Sequence, residues 1–87
     1  MQLDAGSMTA IRNRTKRAHG HLGKVISMME EDAECQDIAL QLSAVIKALQ
    51  RAGVVLMTDG MKACFESGQG PDDAELQQLQ KLFLSLA

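Results

Sequence analysis

Apolar residues recur along the chain at spacings of three, four and seven, in three stretches separated by acidic or glycine-rich breaks. Ile11, Ala18, Leu22, Val25 and Met29 form the first stripe and predict a helix over about 9–31. Ser7 or Thr9 is placed to cap it. The stretch Glu31-Asp32-Ala33-Glu34 interrupts the stripe, and carboxylates there suit the positive end of a following helix. Ile38, Leu42, Val45, Leu49, Ala52 and Leu56, widened by Ile46, Gly53 and Met57, predict a second helix from about Cys35 to Ser67. Gly68-Gln69-Gly70-Pro71 then reads as a stop. A third helix opens at Asp72 or Asp73 and carries Leu76, Leu79, Leu82, Phe83 and Leu86 on one face. The pattern predicts an all-α, three-helix subunit. Residues 1–8 are read as a flexible leader and 9–87 as one helical domain. Gly20 and Gly23 sit inside the first stripe, where each costs about 1 kcal/mol against Ala. Close approach of another helix is the simplest reason for them.

The second helix is long for so short a chain. At about 1.5 Å per residue it spans roughly 45–50 Å, which calls for a partner helix along its length. An 87-residue chain is marginal alone, and oligomerisation is the expected support. The hydrophobic fraction is 46%, but there is no Trp or Tyr, a palette that suits helix packing better than a β-sandwich. No uninterrupted run of about 18 apolar residues is present, so no membrane span is expected. No apolar signal-peptide core precedes the basic cluster, and a cytoplasmic setting is expected.

Cys35 and Cys64 are 29 residues apart, or about 43 Å along one helix. A disulfide needs Cα atoms within about 7 Å, so the two cannot bond within one chain. Two readings stand. Both can be ordinary buried thiols. Alternatively, a second copy pairs antiparallel with the long helix about a two-fold axis between Leu49 and Gln50. Cys35 of one protomer then lies beside Cys64 of the other, at two equivalent places. In a reducing compartment paired cysteines are more often metal-binding or redox-active than structural. Cys35 sits at a predicted helix N-terminus and Cys64 has Lys62 close by, both settings that favour a negatively charged sulfur.

The net charge is −2, distributed unevenly. Arg12, Arg14, Lys16, Arg17 and Lys24 face a single acid, Asp4, in the first 24 residues; Glu30, Glu31, Asp32, Glu34 and Asp37 follow. Arg14, Lys16, Arg17, Lys47 and Arg51 are candidate phosphate contacts on double-stranded DNA, with Lys24 a further one; the plainer reading is a solvated basic face. His19 and His21 point to different sides of a helix and suit surface or interface roles rather than a metal site. Met28, Met29, Met57 and Met61 read as adaptable filling. No nucleophile–base pair and no Gly-rich phosphate loop is present, so the chain is not expected to be an enzyme.

Three stretches carry a resemblance. Arg14-Thr15-Lys16-Arg17-Ala18-His19-Gly20-His21, Met28-Met29-Glu30-Glu31-Asp32-Ala33-Glu34-Cys35-Gln36-Asp37 and Gln41-Leu42-Ser43-Ala44-Val45, followed by Cys64, resemble the copper-sensitive operon repressor (CsoR) family of bacterial regulators over about residues 10–66. The resemblance implies a subunit whose long second helices pair antiparallel in a dimer, with a tetramer built as a dimer of dimers. It implies a repressor that binds operator DNA without a helix-turn-helix and leaves it when an inducer engages the cysteines. The copper-sensing branch holds Cu(I) with Cys, His and Cys, the His lying four residues before the second Cys. Here that position is Gly60, so the resemblance implies no metal site, with Cu(I) on Cys35 and Cys64 as the alternative. The formaldehyde branch lacks the second cysteine and the nickel and cobalt branch needs several His. The chain looks most like the CsoR-like sulfurtransferase repressor branch. That branch uses two thiols without the His to sense sulfane-sulfur donors such as persulfides and polysulfides, forming a di- or polysulfide crosslink between protomers. Cys35 is read as the attacking thiol and Cys64 as the resolving one. Ile46 stands where relatives carry a basic residue, which predicts a rearranged or weakened DNA surface; His21 replaces a common Gln.

Overall fold

The computed structural model describes residues 3–66, 68, 70 and 72–86. It contains three α-helices: α1 (Ala5–Glu30), α2 (Cys35–Glu66) and α3 (Asp73–Leu86). Among the described residues there is no strand. The expected ends at Ser67, and the Gln69 and Pro71 parts of the stop signal, lie outside the described residues.

α1 starts at Ala5, four residues before the apolar stripe predicts, because Asp4 caps it rather than Ser7 or Thr9. The Asp4 carboxylate accepts the Ser7 backbone N–H at 2.7 Å and its hydroxyl at 3.1 Å. The Ser7 backbone bond, then the Ser7 hydroxyl, holds the Asp4 carboxyl below its ordinary pKa. Thr9 instead turns its hydroxyl back to the Ala5 carbonyl at 2.7 Å. The acidic break is a Schellman-type end to α1. Asp32 takes the left-handed region at φ 56°, and the Ala33 N–H reaches back to the Met28 carbonyl at 3.0 Å. The Ile38 N–H bonds the Glu34 carbonyl at 3.1 Å, so Glu34 is the cap of α2 and Cys35 its first helical residue. At the far end Gly68 adopts φ 78° and donates its N–H to the Phe65 carbonyl. A residue with a Cβ is strained there, which is why Gly follows this helix.

α1 packs along α2, and α3 touches α2 alone. Ile11, Ala18 and Val25 from α1 meet Val45 and Ala52 from α2 in a thin core. Val25 is 0% and Val45 1% exposed. Replacing Val25 with Ala removes two buried methyls and leaves a cavity. It should cost about 2 kcal/mol, read as a shift in the urea midpoint at fixed protein concentration. α3 seats Leu86 on the backbone of α2. A Cβ at Gly53 would stand 3.0 Å from a Leu86 methyl, so Gly53 makes room for that contact rather than adding to an apolar stripe. Within this chain the expected close approach at Gly20 and Gly23 is not made: a Cβ at either meets nothing within 4 Å.

The chain is elongated. Its radius of gyration is 16.5 Å and its extents are 53 × 26 × 13 Å, against about 12 Å for a compact chain of this length. Much apolar surface stays uncovered: Ile46, Leu49 and Leu56 on α2 and Leu82, Phe83 and Leu84 on α3 are each 41–65% exposed. α2 also holds a window of mean hydropathy 1.3, 11% buried, long and apolar enough by length and composition to cross a membrane. Counting uninterrupted apolar residues misses it. Its apolar positions divide between a face on α1, positions under α3, and others such as Ile46, Leu49 and Leu56 left in solvent.

Candidate functional site

Two separate regions carry chemistry, and α2 contributes to both. The first is the cysteine face. Twenty-nine residues at 3.6 per turn make about eight turns, so Cys35 and Cys64 emerge on the same side of α2, about 20° apart. Cys35 is exposed in the first turn, where backbone N–H groups lack helical acceptors, and Cys64 is half-buried in the last turns. No disulfide joins them. Ile46 lies in phase with Cys64, five turns before it, and is 48% exposed. Gly60, one turn before Cys64, is buried and has no donor atom. Met57 and Met61 border the same face and, with Leu76, Leu79, Phe83 and Leu84, line a groove between α2 and α3. Among the described residues of one chain, no three His, Cys, Asp or Glu side chains gather to hold a metal. The donor set of the face is therefore sulfur. Thiolates and thioethers are soft ligands and fit Cu(I), though a full site needs donors from a second α2.

The second region is a basic cleft between α1 and α2. Arg14, Arg17 and His21 of α1 face Arg51 and Ala48 of α2 across it. A neighbouring cleft shares Arg14 and Arg51 and adds Lys47, Gln50, Val54 and Val55. Four cations thus converge from residues 37 apart in sequence, and no carboxylate lines either cleft. Such a concentration of one sign raises the local potential well beyond what a net charge of −2 suggests. The sequence-predicted contacts Arg14, Arg17, Lys47 and Arg51 are brought together here. Lys16 is not: it lies about 200° around α1 from Arg14 and lines neither cleft. Ile46 points along the cysteine face instead of into the clefts, so the missing basic residue leaves this cluster intact.

His21 is the residue whose place the sequence left open. Its Nε2 is hydrogen-bonded to Gln41 Oε1 at 2.7 Å, tying α1 to α2 beside the arginines. His19 is exposed on the other side of the helix. The signal was the shared presence of His21 and Gln41 at motif positions, but their pairing depends on the register of the two helices. Removing the imidazole leaves the half-buried Gln41 side chain without this partner. His21→Ala should therefore cost about 1 kcal/mol. His21→Gln, which keeps a donor, should lose less; urea unfolding of both variants checks it.

The chain matches a family described as metal-sensitive transcriptional repressors over residues 7–85. It is 40% identical over 72 residues to the copper-sensing transcriptional repressor CsoR of Mycobacterium ulcerans, covering 80% of this chain and 62% of the relative. It is 36% identical over 64 residues to the protein of the same name from Bacillus subtilis, covering 69% and 63%. It is 33% identical over 64 residues to the copper-sensing transcriptional repressor RicR of Mycobacterium tuberculosis, covering 68% and 67%. The chain thus spans somewhat under two thirds of the length of the first two. No solved structure matches it. These relatives carry the names of repressors and none that of an enzyme. Three helices, two in-phase cysteines on the long one, a basic cleft at its side and a match across nearly the whole length agree: the chain belongs to the CsoR family of metal-sensitive transcriptional repressors.

Proposed function

We propose that this chain represses transcription by binding operator DNA through the α1–α2 basic clefts, and releases it when Cu(I) is bound between Cys35 of one protomer and Cys64 of another. The observation that carries the reading is the phase of the two cysteines. They occupy one face near opposite ends of a single helix. An antiparallel second copy laid on that face, about an axis near Leu49 and Gln50, brings Cys35 beside Cys64 at both ends. The uncovered Ile46, Leu49 and Leu56 supply the apolar surface for such a dimer, and two dimers assemble into a tetramer. Cu(I) as inducer is supported by the names of the relatives and by the softness of sulfur donors. Binding links two protomers at the ends of α2 and selects the arrangement with weaker DNA affinity.

Gly60 favours a second reading. Without an imidazole between them, the two thiols suit a sulfur switch. The Cys35 thiolate attacks the outer sulfur of a persulfide donor, which leaves as a thiolate, and Cys35 becomes a persulfide. Cys64 of the other protomer then attacks the Cys35 sulfur, releasing hydrosulfide and closing a disulfide; longer donors leave a polysulfide bridge.

Operator DNA from the promoter of its own operon, followed by fluorescence anisotropy, separates the two. Anaerobic Cu(I) should release the DNA without any covalent change, and a sulfane-sulfur donor should leave it bound. Release by the donor alone, with a Cys35–Cys64 crosslink in non-reducing mass spectrometry, would overturn the copper reading in favour of the sulfur one. Salt-independent or absent DNA binding would sink both and leave a helical interaction module.

A further inference from the structure

Two thiolates hold Cu(I) linearly, and the position one turn before Cys64 offers nothing more, because Gly60 has no donor. We propose that Met61 supplies the third ligand: its thioether completes a three-sulfur Cu(I) site with Cys64 of its own chain and Cys35 of the second copy. The proposal rests on the Cu(I) reading above.

The placement comes from α2 itself. Met61 precedes Cys64 by three residues, which puts their Cβ atoms about 5–6 Å apart on the helix surface. It stands about 60° around from Cys64, and Met57, one turn further back, stands within about 20°. Sulfur at 57, 61 and 64 thus forms one stripe on the side of α2 that α3 partly covers, leading to the cysteine at its end. Met57 and Met61 are half-buried rather than sealed in the core. They line a groove between α2 and α3. A Met side chain has three rotatable bonds and adapts its reach readily. Met57 is two turns from Cys64, about 10 Å along the axis, too far to share a metal with it. Met61 alone is near enough. Coordination by a thioether adds one lone pair from Sδ, releases no proton and changes no oxidation state, so it needs no further reactant. A thioether is soft, as Cu(I) prefers.

The plainer role for Met61 is filling the α2–α3 groove beside Leu76, Leu79 and Phe83, and the test separates the two. Met61→Leu conserves volume and packing but removes the sulfur. On the full chain, anaerobic Cu(I) competition against a chromophoric chelator should show affinity falling about tenfold or more, the scale already seen when only an outer-shell partner is lost. Copper-edge X-ray absorption should count three sulfur scatterers in the wild type and two in Met61→Leu, while Met57→Leu matches the wild type. Selenomethionine labelling needs no mutation and guards against a variant that misfolds: a copper–selenium distance should appear in the otherwise unaltered protein. Wild-type binding of Cu(I) by two sulfurs, with Met61→Leu unchanged and no selenium neighbour, would overturn the third ligand and leave the copper reading standing. Failure of the wild type to bind Cu(I) at all would overturn both.

Discussion

Cys35→Ser and Cys64→Ser will each bind operator DNA as tightly as the wild type and fail to release it, and a mixture of the two variants will recover part of the response. The expected size of the loss is the whole coupling between inducer and DNA, typically 5–150-fold in affinity. Recovery is the informative half. A mixed dimer of the two variants combines the intact Cys35 of one chain with the intact Cys64 of the other at one end, and two serines at the other end. Random exchange makes half the dimers mixed, so about a quarter of all sites regain both sulfurs. A site built within one chain could never be rebuilt this way. Operator anisotropy with inducer, before and after subunit exchange, reads the outcome. Release by either single variant, or no recovery after exchange, would remove the inter-protomer site from the account. The prediction holds for either inducer, since a metal and a sulfane-sulfur donor both need the two thiols.

Much of this was legible in the chain alone, for a reason that also marks where legibility ends. Helices and their inward faces follow from local spacing, so the sequence alone marks Ile11, Ala18, Val25, Val45 and Ala52 as core. The relation of Cys35 to Cys64 is likewise arithmetic within one helix. Features set by the register of one helix against another were not legible. The gathering of Arg14, Arg17, Lys47 and Arg51 depends on how α1 slides along α2, and periodicity is silent on that offset; Lys16 was grouped with them by sequence proximity and belongs to another side. His21 and Gln41 are 20 residues apart, and only the packed pair shows their bond. Asp4 is illegible in the sequence for a different reason. A cap acts through one carboxylate and leaves no apolar trace, so periodicity alone starts α1 where the stripe begins. Gly53 reads as an apolar stripe position from spacing alone, and its role of making room for Leu86 depends on where α3 docks.

Replacing Arg14 and Arg51 should weaken operator binding more than any other pair of surface changes. Both arginines line both clefts, so each removes charge from the whole basic cluster rather than from its edge. A hydrogen bond to a charged group contributes about 1.5–3 kcal/mol, so each Arg→Ala should cost about tenfold or more in affinity. The sharper readout is salt. Each phosphate contact on duplex DNA releases counterions and contributes about 0.9 to the slope of log affinity against log salt, so the double variant should lower that slope by nearly two per protomer engaged. Lys16→Ala is the internal control, because it removes one positive charge from the same helix at a position outside both clefts. If the clefts hold the phosphate backbone, Lys16→Ala changes the slope by much less than Arg51→Ala does. Equal effects would mean that binding follows total charge and that the α1–α2 clefts are not where the duplex sits. Circular dichroism of the variants should be unchanged, since the thin core at Val25 and Val45 does not include either arginine. Cu(I) affinity of the isolated protein should also hold near the wild-type value, because the cysteines lie on a different face of α2. The basic clefts and the sulfur face would then be separable by mutation, joined only through the helix that carries both.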